Sequence, residues 1–389
     1  MHKPISSVYG EITRMLLTYP SRSELPNDIV LQRYKGIFES LGQNIEYVIL
    51  AHQDTHPSIR RTAEDAGLDP DANLKLINAV SNYPAFVRKI RKHISGNIFE
   101  CELEDAWHSI WAQDGYCYLK KDTGQTILLE PLNFTRGGDN FVADQVAAQT
   151  DMEIEVTKYH LEGGNILSGD NYIIVGKDYL HLNEGITGES RRRITTGFKK
   201  LFGVSEVIWL GFDAPVDFPI YVFQGKYQPI FHIDMYITLG GKTADGKELV
   251  FVGDPELAKS ILDQPPPIAE IVQAFNKTAA FFESYDGGIK FEVIRLPLDL
   301  WNVTTESGTF LTYNNCLIES FGENRNVYLP AYASVAPGSV NRRKLDEKAA
   351  QVFEKAGVSC TLLYGAYEEL CKHGGSVHCI TKALDRRNP

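Results

Sequence analysis

One pattern constrains this chain more than any other. An amphipathic helix, a short turn that usually carries glycine, and a compact strand of β-branched and aromatic residues recur about five times along 389 residues. In the first copy Ile29, Leu31, Tyr34, Ile37, Phe38 and Leu41 share a helical face, Gly42 stops the helix and IEYVIL follows as a strand. Four later segments repeat the phrase: Phe141 to Ala148 with IEVTKY, Ser190 to Phe202 with Gly203 and EVIWL, Ile268 to Tyr285 with Gly287, Gly288 and KFEVIRL, and Arg343 to Ala356 with Gly357 and SCTLLY. The second copy lacks the terminal glycine and is the weakest. Such alternation predicts an α/β fold, and five long copies are expected to surround an axis rather than join one open sheet. An open doubly wound sheet is the competing arrangement, but no GxGxxG or Walker loop supports a nucleotide on it. Residues 1–389 are therefore read as a single domain. The polar stretch from about 53 to 95, broken by Asp69-Pro70 and Pro84, reads as a helical insertion.

A hydrophobic content of 43% over this length builds a substantial core and excludes a disordered or fibrous chain. Lys and Arg number 39 against 50 Asp and Glu, a net charge of −11, which argues against nucleic acid or an anionic membrane as partner. Six cysteines are too sparse for a disulfide scaffold, and the first twenty residues lack the apolar core of a signal peptide. No run of eighteen apolar residues occurs. A cytoplasmic location is expected. Homo-oligomerisation stays open, because an amphipathic helix looks the same against its own core or a second copy.

Four clusters carry chemistry-bearing residues. CKHGGSVHCITKAL uses Gly374 and Gly375 to deliver Cys379 into what reads as a short apolar strand; a thiol with a suitable neighbour is a tunable nucleophile. Cys371, His373, His378 and Cys379 are also zinc-ligand types, but adjacent His378 and Cys379 would point to opposite faces of a strand and no CxxC occurs, so no metal is expected. In PIFHIDMYITL an extended strand would project His232 and Asp234 from one face. KYHLEGGNIL places Glu162 before Gly163, Gly164 and Asn165, where the backbone can approach a neighbour closely. IWAQDGYCYL sets Trp111, Gln113 and Asp114 ahead of an apolar strand. Each has a plainer reading alone: a buried small thiol, an exposed strand edge, or a solvated turn acid. Together they follow different strands, IFECEL, IEVTKY, EVIWL and TLLY, whose ends could converge and bring three carboxylates, an imidazole and a thiol around one pocket. Gathered carboxylates call for a cation, and a planar guanidinium matches them bidentately.

In this order, QD, EGG, HID and HCIT resemble the guanidino-group-modifying enzymes of the pentein fold, closest to the agmatine deiminase and bacterial peptidylarginine deiminase branch. The resemblance runs over most of the chain, from ITRMLLTYP through FECELEDAW, LEGGNIL, VSEVIWL and HIDMYITL to GGSVHCITK. It implies a five-bladed ββαβ propeller. It further implies Cys379 as nucleophile, His232 as general acid and base, Asp114 and Asp234 as the guanidinium clamp, and Glu162 holding His232 or sharing that clamp. Trp111 and Gln113 resemble the substrate-contacting positions of the WxQD form of peptidylarginine deiminases, and Gly163, Gly164 and Asn165 would border the same substrate. The chain departs from agmatine deiminases in having no Arg before this Asp and in reading HCITKA instead of HCITQQ. The implied reaction is hydrolysis of agmatine, peptidylarginine or arginine to a ureido product and ammonia, without a cofactor. Amidinotransferase or arginine dihydrolase chemistry, or a silent binding module, are the competing outcomes. Recognition of a free α-carboxylate would need a placed arginine, and Arg191 to Arg193 read as capping or decorating a helix.

Overall fold

The computed structural model describes residues 2–20, 27–79, 88–94, 97–103, 108–131, 138–216, 225–301, 309–333, 340–365 and 367–387. Among them the fold is mixed α/β, with five sheets of three or four strands and one separate two-stranded ribbon. All five helix-then-strand copies are present, and in each the strand runs parallel to one that precedes the helix. That partner also pairs antiparallel with a further strand, so the unit is ββαβ. Cys117–Lys121 and Thr126–Pro131 precede Glu153–Thr157; Ile166–Ser168 and Tyr172–Gly176 precede Glu206–Leu210; Ile237–Lys242 and Glu248–Asp254 precede Phe291–Trp301; Leu317–Phe321 and Asn324–Pro330 precede Ser359–Leu363. The fifth unit joins the two ends of the chain, since Lys382–Arg387 lies antiparallel to Glu11–Thr18, which is parallel to Glu46–Ala51.

Local chemistry accounts for these elements. Tyr47 to Ala51 are all fully buried because their strand lies between two others, and a strand covered on both faces reads as a continuous apolar run. The helix Asn27–Leu41 buries Val30, Tyr34, Ile37 and Phe38 together with Arg33, at helical spacing. Ile29, Leu31 and Leu41 are only half-buried, so the inward stripe passes through Val30 instead. Gly42 and Gly357 follow their helices at φ of 76° and 75°, the left-handed conformation that glycine adopts without strain. The second copy, without such a glycine, has the shortest helix of the five, Val142–Ala147.

Two expectations change here. The 53–95 segment is helical only as far as Asn73, through His56–Asp65 and Pro70–Asn73. Leu74–Asn78 then enters the fifth sheet as a parallel neighbour of Glu46–Ala51, because the apolar alternation of LKLIN suits a sheet edge. Arg88–Ile94 is a strand as well, and 80–87 with Pro84 lies outside the described residues. IFECEL is not a strand of the repeat either: among the described residues Asn97–Leu103 pairs only with Arg88–Ile94, in the separate ribbon. Arg191 to Arg193 form the exposed first turn of Arg191–Phe202, as decoration. Among the described residues no helix is long and apolar enough to cross a membrane.

Candidate functional site

Every unit presents a short turn just ahead of its first strand: Asp114, Glu162 to Asn165, His232 to Asp234, Asn314 and Asn315, and Cys379 all occupy such turns. These turns are hydrogen-bonded to one another in a closed circuit. Gly163 N–H donates to Asp114 O at 2.9 Å, and Gln113 N–H to Cys379 O at 3.1 Å. Ile233 N–H donates to Asn165 Oδ1 at 3.1 Å, Asn315 Nδ2 to Asp234 O at 3.5 Å, and Cys379 N–H to Asn315 Oδ1 at 3.1 Å. Side chains far apart in sequence are thereby gathered in one buried cluster, with Asp114, His232, Asp234 and Cys379 each no more than 4% exposed.

Neither HID nor HCIT is a strand. His232 has extended backbone, but Ile233–Met235 is a single 3-10 turn and the strand begins at Ile237. Cys379 lies on a helical turn closed by Ile380 N–H to Ser376 O, and the strand begins at Lys382. Turn geometry replaces strand alternation, so adjacent residues need not face apart. His378 Nδ1 and Cys379 Sγ lie 2.7 Å and 3.7 Å from the same Asp234 Oδ2. His232 and Asp234 face different partners: His232 Nε2 lies 2.6 Å from Glu162 Oε2, and its Nδ1 lies 3.7 Å from Asp114 Oδ1. Among the described residues, no group of three or more His, Cys, Asp and Glu side chains is placed to hold a metal ion.

The remaining sequence candidates occupy supporting places. Trp111 is half-buried and packs on Gly375, where an added Cβ would lie 2.3 Å from the indole and 2.9 Å from Cys379 Cβ. Gln113 is buried and donates to Gly163 O at 3.2 Å, which ties two turns together. Asn165 accepts from Gln228 Nε2 and Ile233 N–H. Gly164 packs against the imidazole itself: an added Cβ would stand 2.5 Å from His232 Nδ1 and 3.0 Å from Asp114 Oδ1. Gly164→Ala is therefore expected to displace the imidazole and cut turnover about a hundredfold, with the melting temperature little changed. Wild-type turnover in that variant would show that His232 is not placed by this contact.

Sequence reasoning missed several groups. Asn315 Nδ2 donates to Cys379 Sγ at 3.1 Å. His160 Nε2 lies 3.5 Å from the second oxygen of Glu162, and Tyr179 OH lies 3.4 Å from His232 Nε2. Buried Lys382 donates to Gln113 O and Tyr116 O at 2.8 and 2.9 Å and lies over the Tyr116 and Tyr118 rings. The signal for Asn315 was available, since TYNNCLI follows the KFEVIRL copy as EGGNIL and HIDMYI follow theirs. A cleft lined by Ser6, Ser7, Gln113, His378, Lys382 and Arg386 adjoins the cluster, but Cys379, His232 and Asp114 lie beside it and not in its wall.

Electrostatics separates the groups into roles. Burial alone would depress the His232 imidazole, but Asp114, then Glu162 and Asp234, outweigh it and raise it to about 9. Burial would raise Glu162; hydrogen bonds and charge from His160 and His232 prevail and hold it well below the usual carboxylate range. Burial first, then Asp234 and Asp114, pushes the Cys379 thiol well above its ordinary value. Burial likewise lowers Lys382, against the pull of Cys117, Asp114 and Asp234. At neutral pH the unliganded cluster thus holds a His232 imidazolium, a Glu162 carboxylate and a protonated Cys379 thiol. Because His232 is raised above its unfolded value of 6.5, its contribution to stability is full below that value and lost as pH rises through about 9. The melting temperature is expected to fall on that alkaline side, and less steeply in His232→Gln; parallel profiles for both proteins would contradict the charged pairing.

Asp234 Oδ1 is buried with no hydrogen-bond partner among the described residues. An unmatched carboxylate oxygen beside Cys379 is an acceptor that awaits a donor, and a cation with several N–H groups satisfies it.

No protein-family profile and no curated protein sequence matches the chain. Solved structures do. Agmatine deiminase from C. jejuni superposes with a TM-score of 0.66 at 17% identity, covering 100% of this chain and 98% of that one. A cysteine-to-serine variant of the C. jejuni enzyme with substrate bound gives 0.62 at 15%, covering 99% and 97%. Agmatine deiminase of Enterococcus faecalis gives 0.64 at 16%, covering 99% and 96%. At these identities the likeness shows a shared fold across the whole chain.

Proposed function

We propose that this protein is a cysteine-dependent hydrolase that converts the guanidinium of a small arginine-derived compound, or of an arginine side chain, to a ureido group and ammonia. One observation carries the reading: the buried meeting of Cys379, His232, Glu162, Asp114 and Asp234, with Asp234 Oδ1 unmatched. The fold shared with agmatine deiminases supports it. The five ββαβ units are read as blades of a single-domain propeller about a pseudo-five-fold axis, supported by the circuit of hydrogen bonds among their turns and by the fifth unit joining both chain ends.

Asp114 and Asp234 clamp the guanidinium and fix its carbon against Cys379 Sγ, and Trp111, Gln113 and Gly163 to Asn165 border it. Bound positive charge offsets the two carboxylates that hold the thiol protonated, so the thiolate forms once substrate is in place; Asp234 Oδ2, 3.7 Å from Sγ, is an acceptor for its proton. Attack joins Sγ to the guanidinium carbon and gives a neutral tetrahedral adduct. His232, protonated at neutral pH, donates to the departing nitrogen, ammonia leaves, and a cationic amidino thioester remains on Cys379. Neutral His232 then takes a proton from water as its oxygen adds to that carbon. Collapse expels the thiolate, which takes the proton of the new hydroxyl as the neutral ureido product forms. Asp234 releases its proton to the solvent, where the departed ammonia takes it up. Glu162 stabilises the imidazolium at the start and end of this cycle. The chain's own side chains suffice for each step.

An ammonia-release screen against arginine, agmatine, methylated arginines and an arginine peptide tests the reading. Turnover of one class with one ammonia per ureido product is expected. Turnover of none of them would overturn it.

A further inference from the structure

Lys382 opens the strand Lys382–Arg387, three residues after Cys379, and has no part in the clamp or the proton transfers just described. It is 7% exposed, and its hydrogen-bond partners are two backbone carbonyls and not a carboxylate. We propose that Lys382 is a positioning residue of this site: its buried ammonium fixes the turn that carries Asp114, and with it the place of Asp114 against His232 and the guanidinium. The service to a guanidinium rests on the function proposed above; the placing of Asp114 does not.

Two carbonyls converge on one nitrogen. Lys382 Nζ donates to Gln113 O at 2.8 Å and to Tyr116 O at 2.9 Å, and these two residues stand on either side of Asp114. A single charged donor that bridges both carbonyls holds the peptides between them in one orientation, so the backbone that aims the Asp114 side chain is held too. The same turn is tied to the neighbouring units: Gln113 N–H donates to Cys379 O at 3.1 Å, and Asp114 O accepts from Gly163 N–H at 2.9 Å. The anchor itself is well held. Lys382 pairs with Leu16 across an antiparallel ladder, and the Tyr116 and Tyr118 rings lie 5.7 and 5.2 Å from its nitrogen. Lys382 thus sets Asp114 relative to Cys379, because it bonds to the turn of one and its backbone continues from the turn of the other.

The chemistry of the setting says what the ammonium does there that an apolar side chain would not. A methylene chain of the same length fills the space but leaves both carbonyls without a donor, free to turn toward other partners. The charge itself comes at a cost, since burial disfavours it against the pull of Cys117, Asp114 and Asp234. What it holds in place is a group that acts twice. Asp114 Oδ1 lies 3.7 Å from His232 Nδ1, and where burial would lower the imidazole, Asp114 leads the charges that raise it to about 9. A displaced Asp114 is therefore felt both in the affinity for a guanidinium and in the titration of His232.

Two variants separate the bonds from the charge. Lys382→Gln is neutral but keeps two N–H groups, one for each carbonyl; Lys382→Met is neutral, of similar length, and has none. Loss of the positive charge is common to both, so a difference between them reports the hold on the turn. His232 is titrated without substrate by NMR of histidine labelled at Cε1, its signal assigned by its loss in His232→Gln. The midpoint is expected about half a pH unit or more lower in Lys382→Met than in Lys382→Gln. KM for the guanidino substrate should rise about tenfold in Lys382→Met, and the glutamine variant should recover most of that loss. Lys382→Ser, whose vacated space admits water to the two carbonyls, replaces the methionine variant where that one fails to fold, with the same differences expected. Equal His232 midpoints with and without the donors, whatever the melting temperatures, overturn the proposal. Ammonia release is scored separately: absent from the wild type while the midpoint falls as expected, it removes the deiminase reading and leaves the placing of Asp114 by Lys382 standing.

Discussion

Ammonia release is expected to fall at least ten-thousand-fold when Cys379 is replaced by alanine, while a guanidinium ligand still binds. The reason lies in how the cluster divides its work. Binding is assigned to carboxylates on other turns, and Asp114, Glu162 and Asp234 keep their places without sulfur because their turns are held by Gly163 N–H, Asn165 and Asn315. Bond making is assigned to sulfur alone, and alanine leaves nothing to form the amidino thioester. The other described thiols, three of them buried and Cys360 half-buried, provide the control. Burial pushes Cys117 and Cys371 up to about 11 and Cys360 up to about 12, and Cys316 is also raised, so none is poised as a thiolate. Each of these four changed to alanine should retain turnover within about threefold, unless packing is lost. Calorimetry with the guanidino substrate on Cys379→Ala completes the experiment. Sustained turnover by that variant would remove the covalent mechanism, and lost binding would place the thiol in the recognition site.

The repeat was legible because burial leaves a periodic trace. Ile194, Phe198 and Phe202 are buried at four-residue spacing, and the strands that follow the helices are compact apolar runs. The residue types of the site were legible because Cys379, His232, Asp234, Asp114 and Glu162 each stand beside glycine or an apolar strand. Their local conformation was not. HIDMYITL alternates like a strand, yet the Asn165 side chain accepts from Ile233 N–H and Met235 N–H bonds back to His232 O, closing a 3-10 turn that no local propensity announces. The 53–95 segment misled for a similar reason. Leu74–Asn78 becomes a strand because the edge of Glu46–Ala51 is open to it, a tertiary circumstance. Asn315 escaped notice because an asparagine pair carries no charge and looks like ordinary turn chemistry. Its importance comes from a partner 64 residues away in sequence.

Replacing Asp234 with asparagine is expected to lower turnover at limiting substrate by about a hundred- to a thousandfold, and at the same time to make the unliganded Cys379 more reactive. The two effects have one cause and opposite signs. Asp234 offers one buried oxygen with no partner, the acceptor proposed for a guanidinium N–H, and a second oxygen 3.7 Å from Sγ and 2.7 Å from His378 Nδ1. Asparagine removes the charge that attracts the substrate, and half of its end group becomes a donor that opposes a guanidinium. The same carboxylate is the first-ranked charge among those that keep the thiol protonated, after burial itself. Without it the thiolate forms at lower pH, so iodoacetamide should alkylate Cys379 faster in Asp234→Asn than in the wild type at neutral pH. General damage to the fold lowers turnover too, but it would expose Cys117, Cys316 and Cys371 to the reagent along with Cys379, which peptide mass spectrometry resolves. Faster alkylation confined to Cys379, alongside a raised KM, is the expected pair. A variant that loses turnover with no gain in thiol reactivity would mean that Asp234 does not restrain the nucleophile, and that substrate charge is not what releases it.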